Sequence, residues 1–327
     1  MLEKVCWGTI GTGWIAHQFA SALEHLPEAE LAAVASRTIE TADRFGDRFD
    51  VARRYGSYQA LVDDPGVDAV YVATPNPAHK ANSLLCLRAG KPVLCEKPFA
   101  INARDAHEVI RVAREEKLFL MEAMWTRFLP LMLDVQKLLA GGAIGDVQML
   151  FADLCIRFDF DPKDRRYDPE LGGGALLDLG VYPISFASMV FGAPSRVSAL
   201  AHLGETGVDE QAAVILGYDG GRLAVSNFSL RVDSPVEACI LGSEGSIRID
   251  PWWIKPSKLT LSVSGQEDKV LEAPYPGNGY QFEASEVMNC LRAGKLESEV
   301  MPLDETLSIM ETLDEIRDRW GLRYPME

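Results

Sequence analysis

The sequence feature that most constrains the fold is a glycine turn that directly follows the first apolar run. Residues 5–10 read as a buried strand, and the sequence Gly-Thr-Gly-Trp-Ile-Ala occupies residues 11–16. In such a G-x-G-x-x-A turn the first glycine allows a sharp bend, the second lets a phosphate approach the backbone, and the alanine lets the next helix pack closely on the strand. Apolar residues then recur at helical spacing as far as Leu26. The pattern predicts a strand, a phosphate-binding turn and a helix.

The N-terminus of that helix is suited to a dinucleotide. Its amide groups and the positive end of its dipole favour an anion, and a pyrophosphate fits there. A glycine-rich loop without a ligand is the alternative, but the flanking strand and helix favour a cofactor site. We expect the cofactor to contact Gly11, Thr12, Gly13, Trp14 and Ile15.

Apolar strands and helical patterns alternate from the start of the chain to residue 122. Six strand patterns begin near residues 5, 31, 53, 69, 92 and 119. This alternation predicts an α/β domain with a doubly wound parallel sheet of the Rossmann type, over residues 1–122. Ligands of such sheets bind at the carboxyl ends of the strands, so the residues just beyond each strand are the candidates for function.

The end of the second strand indicates which dinucleotide binds. An NAD-selective site places an acidic residue here to bind the ribose hydroxyls, whereas this chain has Ser36-Arg37-Thr38. A guanidinium pairs with the 2′-phosphate of NADP, which a carboxylate would repel. We therefore expect NADP, with NAD as the alternative, to contact Ser36, Arg37 and Thr38. In the other interpretation Arg37 is a solvated surface charge.

Two further turns lie at strand ends. Thr74-Pro75-Asn76-Pro77 follows the fourth strand and is stiffened by its prolines, and His79, which could also be an ordinary helix-start residue, comes soon after. Glu96-Lys97-Pro98 follows the fifth strand, where a partly desolvated lysine could act on a substrate hydroxyl. A surface lysine beside a loop proline is an equally good interpretation from spacing alone. The cofactor contacts expected from these turns are Thr74, Pro75, Asn76, His79, Glu96 and Lys97.

Composition argues against several classes of partner. The net charge of -16 opposes binding to nucleic acid or to an anionic membrane, because the summed field repels phosphates. The 6 cysteines contain no C-x-x-C pair and the 5 histidines show no metal-site spacing, so we expect reduced core cysteines and no metal. No apolar targeting segment precedes the first strand, and the uncharged run after Asp178 contains Gly180 and Pro183, which suits a buried helix better than a membrane span. We expect a cytoplasmic enzyme.

The second half of the chain has a different pattern, and we assign residues 123–327 to an α+β domain for substrate binding and dimerisation. Strand patterns follow one another from residue 196 to residue 263, and Asp219-Gly220-Gly221 and Ser243-Glu244-Gly245 are hairpin signals. Such a largely antiparallel meander, with helices on one side, leaves its other face open. Aromatic residues could wall a substrate pocket, although several could equally be core residues. The aromatics we select are Trp125, Phe158, Trp252 and Tyr280.

A helix predicted from the triple glycine at residues 172–174 to about Phe191 carries a carboxylate and a phenol. Asp178 and Tyr182 are four residues apart and therefore share one helical face. If that face is turned toward Lys97, the three side chains form a proton-handling group. The alternative is an acid near a helix N-terminus together with a core tyrosine.

Several of these motifs resemble those of the Gfo/Idh/MocA oxidoreductase family. The turns at residues 11–16, 73–76 and 95–98 look like its cofactor-domain signatures, and the similarity continues over the full length. Within the family, the chain most resembles the dimeric dihydrodiol dehydrogenases and the NADP-dependent aldose (xylose) dehydrogenases. The stretches that carry this likeness are residues 119–128, 172–182 and 205–209.

The resemblance implies an NADP-dependent oxidoreductase that transfers a hydride between the nicotinamide and a secondary alcohol of a sugar or cyclic vicinal diol. It implies that Lys97, Asp178 and Tyr182 are catalytic and that Trp125 and Arg127 lie at the cofactor. Many family members have histidine where this chain has Tyr182, and the dihydrodiol dehydrogenases resemble this chain in having tyrosine. Relatives of this kind pair through the open sheet face, which implies a homodimer.

Two assignments of the proton transfer are open. In the first, Tyr182 is the base, Lys97 holds the alcohol oxygen and lowers the phenol pKa from its ordinary value of about 10, and Asp178 orients Lys97. In the second, Lys97 is the base and Tyr182 donates a hydrogen bond. The same residues would serve a keto-sugar reductase, and a non-catalytic dinucleotide sensor is the remaining alternative.

Overall fold

The structure, a computed structural model, describes residues 4–327 and divides into two compact units. The first consists of residues 4–125 and 275–307, and the second of residues 126–274 and 308–327. The single boundary that we placed after residue 122 differs from this division, because the chain returns to the first unit near its end. The expectation about a targeting segment concerns residues 1–3, which lie outside the described residues.

A six-stranded parallel sheet forms the centre of the first unit, as the alternating pattern predicted. Its strands are β1 (Val5–Ile10), β2 (Ala29–Ala35), β3 (Arg53–Tyr55), β4 (Ala69–Val72), β5 (Val93–Glu96) and β6 (Leu120–Ala123). They lie in the order β3-β2-β1-β4-β5-β6, and all neighbouring pairs are parallel. The strand order changes direction beside β1, which is where doubly wound sheets bind their ligands.

Five helices connect these strands, and side chains define where three of them begin. The helices are α1 (Trp14–Leu23), α2 (Ile39–Phe49), α3 (Tyr58–Val62), α4 (His79–Arg88) and α5 (Ala103–Glu116). Thr38, Ser57 and Asn102 each accept a hydrogen bond from the backbone N–H three residues later, at 3.4, 3.3 and 2.9 Å. These N-caps satisfy amide groups that a helix cannot pair internally.

An eight-stranded, largely antiparallel sheet forms the centre of the second unit, as predicted. Its strands are β7 (Val147–Cys155), β8 (Arg196–Leu203), β9 (Asp209–Gly217), β10 (Leu223–Ser229), β11 (Ala238–Gly242), β12 (Gly245–Ile249), β13 (Lys258–Val263) and β14 (Lys269–Glu272). The order is β14-β13-β12-β11-β7-β10-β9-β8, and the pair of β7 with β10 is the parallel one among these strands.

The simple meander predicted for residues 196–263 is wrong at one point, because β7 lies between β10 and β11. The two hairpin signals form tight antiparallel connections between β9 and β10 and between β11 and β12. The segment after β10, residues 230–237, contains no glycine and forms no such hairpin with β11. Residues 230–237 instead pass the end of β7, where Ile156 N donates to Ser229 O at 2.9 Å and Ser234 N donates to Cys155 O at 3.2 Å.

One face of this sheet is covered and the other is open. Along β9, Val214 and Leu216 are buried, whereas Ala213 and Ile215 are exposed, as the period of two requires. A π-helical turn (Leu176–Gly180) and helix α7 (Val181–Phe191) cover the buried face, and α6 (Pro130–Ala140) belongs to the same unit.

The apolar helix of the second unit is a core element. The segment Pro169–Phe191 is long and apolar enough to span a membrane by length and composition, yet 78% of its most apolar part is buried inside the protein. A Cβ on Gly180 would lie 2.9 Å from the Phe228 ring of β10. Glycine at this position therefore lets the helix lie directly on the sheet, as the sequence pattern of a buried helix indicated.

Helix α8 (Tyr280–Arg292) and the beginning of α9 (Leu303–Trp320) return to the first unit. Just before α8, Asn278 Nδ2 donates to the carbonyl oxygen of Gln18 in α1 at 2.8 Å. Helices α8 and α1 pack together. The first unit is thus completed by a segment that lies about 150 residues beyond the rest of it in the sequence.

Candidate active site

The turn between β1 and α1 has the geometry of an anion site. Gly11 has a φ of +103°, and a Cβ there would lie 2.5 Å from the carbonyl oxygen of Ala73, so only glycine fits. Gly13 is the N-cap of α1. Among residues 4–327, no side chain caps this helix and no atom lies within 4 Å of a Cβ built on Gly13. The first amide groups of α1 therefore border open space, and a pyrophosphate fits there. Trp14 is the first residue of α1 and follows Gly13 directly; its side chain is 71% exposed.

The three residues after β2 form a hydroxyl cluster with an exposed guanidinium. Thr41 Oγ1 donates to Ser36 Oγ at 2.6 Å, and Ser36 Oγ lies 3.4 Å from Thr12 Oγ1 of the glycine turn. Thr38 caps α2. Arg37 is exposed and, within residues 4–327, makes no hydrogen bond or ion pair. Its charge opposes the rise in the pKa of Tyr58 that burial causes.

His79 ties the two expected cofactor turns together. Its side chain is buried, its Nε2 lies 2.8 Å from Thr74 O, and its Nδ1 lies 2.8 Å from Pro98 O. Burial lowers the pKa of His79, and the two carbonyl oxygens oppose this change. Both ring nitrogens contact protein carbonyls, and a direct contact of His79 with the cofactor stays a prediction. His79 holds the turn of Thr74 against the residue that follows Lys97.

The loop that carries Lys97 is fixed on its other side by a buried carboxylate. Glu96 accepts hydrogen bonds from the Tyr71 hydroxyl and, at 3.2 Å, from the backbone N–H of Lys97. The peptide bond between Lys97 and Pro98 is cis, and Lys97 is half-buried. Lys97 therefore sits at the end of β5 in a loop whose backbone is held from both directions.

A second carboxyl group, which the sequence analysis missed, lies near Glu96. Glu283 of α8 is fully buried, and neither of its carboxyl oxygens has a hydrogen-bond partner among the described residues. Burial and the negative charge of Glu96 raise the pKa of Glu283 well above its ordinary value, which makes it a neutral acid. Helical spacing was the available signal, because Glu283 shares the apolar face of α8 with Tyr280 and Val287.

The four aromatics selected for a substrate pocket divide between the two units. In the first unit, Trp125 and Tyr280 are buried and stack with ring centroids 4.8 Å apart and planes 23° apart. In the second unit, the Arg166 guanidinium lies 3.7 Å from the centre of the Phe158 ring, and Trp252 is 54% exposed. Each unit thus presents two of these aromatics.

In the second unit, Asp178 and Tyr182 lie where the π-helical turn continues into α7, and both are mostly buried. Arg165 makes a two-pronged ion pair with Asp178, with Nη1–Oδ1 at 3.0 Å and Nη2–Oδ2 at 3.3 Å. Arg165 lies in the charged loop that precedes the triple glycine, and its sequence context did not indicate this contact. Such a pair favours the ionised form of a carboxyl group.

Arg127 has a structural position in the second unit. The side chain is buried, its Nε donates to Ser185 Oγ at 3.0 Å, and its Nη2 donates to Ser185 O at 2.6 Å. Ser185 belongs to α7, one helical turn beyond Tyr182. These two contacts anchor Arg127 to the helix that carries Tyr182, and the contact of Arg127 with the cofactor stays a prediction.

Two family models match the chain. The model described as an oxidoreductase family with an NAD-binding Rossmann fold matches residues 5–124. The model of the GFO/IDH/MocA C-terminal domain matches residues 132–248. Together they cover most of both compact units.

Named relatives and solved structures are similar to nearly the whole chain. The trans-1,2-dihydrobenzene-1,2-diol dehydrogenases of Mus musculus and Homo sapiens are 40% and 38% identical over 333 residues, 98% of this chain and 98% of theirs. KijD10, a 3-ketoreductase from Actinomadura kijaniata solved with NADP and TDP-benzene, is 29% identical with a TM-score of 0.85, over 96% of this chain and 97% of its own. The aldose-aldose oxidoreductase from Caulobacter crescentus, solved with glycerol, is 25% identical with a TM-score of 0.88, over 98% of both chains.

We expect Gly13→Ala to weaken dinucleotide binding without lowering stability. The added methyl group meets no protein atom but occupies the open space at α1, so the dissociation constant for NADPH should rise by about tenfold, or about 1.4 kcal/mol. Gly11→Ala, whose methyl group would collide with Ala73, should also lower the melting temperature. Fluorescence titration with NADPH and thermal unfolding measure the two effects. Wild-type affinity in Gly13→Ala would contradict our assignment of the turn.

Proposed function

Because this chain belongs to the GFO/IDH/MocA family of oxidoreductases, we propose that it transfers a hydride between NADP and a secondary alcohol of a sugar or cyclic vicinal diol. At the coarser level, the chain is a nicotinamide-dependent dehydrogenase or reductase that acts on CH–OH groups of sugar or diol substrates. The observation that carries the proposal is the likeness, over 98% of the chain, to a trans-diol dehydrogenase. Relatives named as dehydrogenases do not favour a non-catalytic sensor.

The preference for NADP is supported by the charge at the end of β2. Arg37 is exposed and unpaired within residues 4–327, and its two neighbours carry hydroxyl groups instead of carboxylates. A free guanidinium can bind the 2′-phosphate through parallel charge-assisted hydrogen bonds. KijD10, similar over 96% of this chain, was solved with NADP.

The residues proposed to hold the dinucleotide are those of the first unit's strand ends. The pyrophosphate would bind to Gly11–Ile15, and the adenosine ribose with its phosphate would bind to Ser36–Thr38. The nicotinamide half would lie along the turns of Thr74 and Glu96. When bound, the nicotinamide takes a hydride from the alcohol carbon or returns it to a carbonyl carbon.

In the proposed chemistry, Tyr182 and Lys97 act on the oxygen of the reacting alcohol. Tyr182 takes the hydroxyl proton during oxidation, and Lys97 supplies the positive charge that a phenol needs in order to work near neutral pH. In this assignment Asp178 orients Lys97, and Asp178 also forms the ion pair with Arg165. In the competing assignment Lys97 takes the proton and Tyr182 only donates a hydrogen bond.

Reduction of a keto sugar is a second candidate function. It is favoured by the similarity to KijD10, which is named as a 3-ketoreductase. The residues named above would serve this direction with the proton returned to the carbonyl oxygen.

A homodimer through the open face of the second sheet is also proposed. Leu200 of β8 is 81% exposed and pairs in register with Ala213 of β9, which places it on the same open face as Ile215, which is 45% exposed. Val225 of β10 pairs in register with Ile215 on one side and with Phe151 of β7 on the other. Phe151, which is 39% exposed, therefore lies on the same face. An apolar patch across the four neighbouring strands β8, β9, β10 and β7 is typical of a protein interface.

We expect Arg37→Asp to reverse the cofactor preference. Losing a charge-assisted hydrogen bond and adding repulsion should weaken NADP binding by about 1.5–3 kcal/mol, or about 10- to 150-fold, while NAD binding is retained or improved. Steady-state kinetics with both cofactors measure the ratio. Arg44→Asp makes the same charge change on an exposed position of α2 and serves as the control. Equal use of NAD and NADP by the wild type would defeat the argument.

We expect Tyr182→Phe and Lys97→Met each to reduce kcat by at least about 100-fold while NADPH affinity stays near the wild-type value. Loss of the phenol proton acceptor or of the charge beside the alcohol affects the chemical step more than dinucleotide binding. Stopped-flow turnover of trans-diols and aldoses, read as nicotinamide absorbance, checks this. Tyr218→Phe is the matched control, because the Tyr218 hydroxyl is buried and has no hydrogen-bond partner in the part of the chain that the structure describes. Full activity in Tyr182→Phe would remove Tyr182 from the mechanism.

We expect Leu200→Glu to dissociate the proposed dimer, because a charge would be buried in an apolar interface. Size-exclusion chromatography with light scattering would show a halved mass for the variant. Leu296→Glu, at an exposed leucine of the first unit, should leave the mass unchanged. A monomeric wild type at micromolar concentration would refute the dimer.

A further inference from the structure

Asp209 reaches the N-terminus of the helix that carries Asp178 and Tyr182. Its Oδ2 accepts a hydrogen bond from the backbone N–H of Leu176 at 2.7 Å. Gly174 has a φ of +115°, and a Cβ there would collide with Asp209 Oδ1. Glycine at residue 174 therefore serves to admit this carboxyl group to the backbone of the turn. Asp209 is the first residue of β9, so the contact joins the sheet to the helix.

The C-terminal segment holds the same turn from another side. Tyr324 Oη donates to Gly173 O at 2.5 Å. The neighbouring Arg317 of α9 is fully buried and pairs with Asp314 at 2.6 Å and with Glu327 at 2.7 Å. The turn before the helix is thus held by Asp209 of β9 and by Tyr324 together.

The carboxyl group of Asp209 is buried at this contact, which affects its pKa. It is fully buried, and its Oδ1 has no hydrogen-bond partner among the described residues. Burial raises the pKa of Asp209 to about 7, against the opposing effects of the Leu176 N–H and the positive charge of Arg317. The other titratable group that faces it is Tyr324, whose pKa burial raises well above its ordinary value, so that it stays neutral. The charge of Arg317 is largely balanced by its two acidic partners.

We propose that Asp209 is a positioning residue, which holds the first turn of this helix and thereby sets the placement of Asp178 and Tyr182 on the substrate. The inference rests on the proposed function of those two residues. Asp178 lies only two residues beyond Leu176, and its own N–H donates to Gly174 O at 3.3 Å, so a shift of the turn is passed directly to it.

The ionised form of Asp209 is the better anchor. A carboxylate at a helix N-terminus interacts favourably with the helix dipole and accepts a stronger hydrogen bond than a neutral acid does. Turnover should therefore fall as the pH is lowered through about 7, because Asp209 becomes protonated there.

The free energy of unfolding should change in the opposite direction and increase as the pH is lowered. The raised pKa means that the folded protein binds the proton more tightly than the unfolded chain, so stability declines as the pH rises from about 4 to about 7.

The test compares Asp209→Asn with Asp209→Ala. Asparagine keeps an acceptor for the Leu176 N–H but does not titrate, whereas alanine removes the acceptor. We expect Asp209→Ala to lower kcat by at least about tenfold with unchanged NADPH affinity, and Asp209→Asn to recover most of this loss at pH 8. The decline in kcat near pH 7 should be present in the wild type and absent from Asp209→Asn. Glu210→Gln, which changes the next carboxyl group along β9, should retain the wild-type pH profile.

A second measurement does not depend on the proposed chemistry. Hydrogen exchange of a peptide covering residues 172–182 should show lost protection in Asp209→Ala and near wild-type protection in Asp209→Asn. In the wild type, infrared difference spectra should show a buried carboxyl group that titrates between pH 6 and pH 8. A wild-type pH profile in Asp209→Asn, wild-type protection in Asp209→Ala, or no such carboxyl signal would each overturn the proposal. Inactivity of the wild type on every sugar and diol would instead overturn the proposed function, and the exchange and infrared results would still decide the role of Asp209.

Discussion

The close passage of Gly11 against the carbonyl oxygen of Ala73 is the contact on which the site of the first unit depends. No side chain fits between the two backbones, so the turn after β1 lies directly on the turn after β4. His79 joins that second turn to the loop of Lys97, and Glu96 holds the same loop from within the sheet. The close contact at Gly11, together with His79 and Glu96, therefore packs the ends of the three neighbouring strands β1, β4 and β5 against one another.

Most of the first unit could be predicted from the sequence because its signals are local. Apolar runs of strand length, helical spacing and capping residues recur in order, and a parallel sheet follows from their alternation. The position of β7 between β10 and β11 could not be predicted in this way. Periodicity shows which face of a strand is buried, but it does not specify which strand lies beside it. The same limit applies to α8, whose apolar face gives no sign of which unit it covers.

In the candidate site, too, local motifs could be predicted from the sequence, whereas contacts between distant segments could not. The glycine turn, Lys97 and the helix of Asp178 and Tyr182 lie in short motifs, so they could be selected as candidates from the sequence, and their roles stay predictions. The ion pair of Arg165 with Asp178 and the neutral acid Glu283 depend on burial and on contacts between distant segments. His79 shows the difference most clearly. Its place after a strand suggested a ligand contact, whereas its two carbonyl partners give it a role in holding backbone.

The return of residues 275–307 to the first unit affects how this protein is made and how it can be recombined. A nascent chain that has emerged only as far as β6 lacks the helix that packs on α1, so the dinucleotide-binding half is finished only after the second sheet has also been translated. For the same reason, grafting this half onto a relative requires two crossover regions in the gene, since a single junction after β6 would leave the apolar face of α1 uncovered.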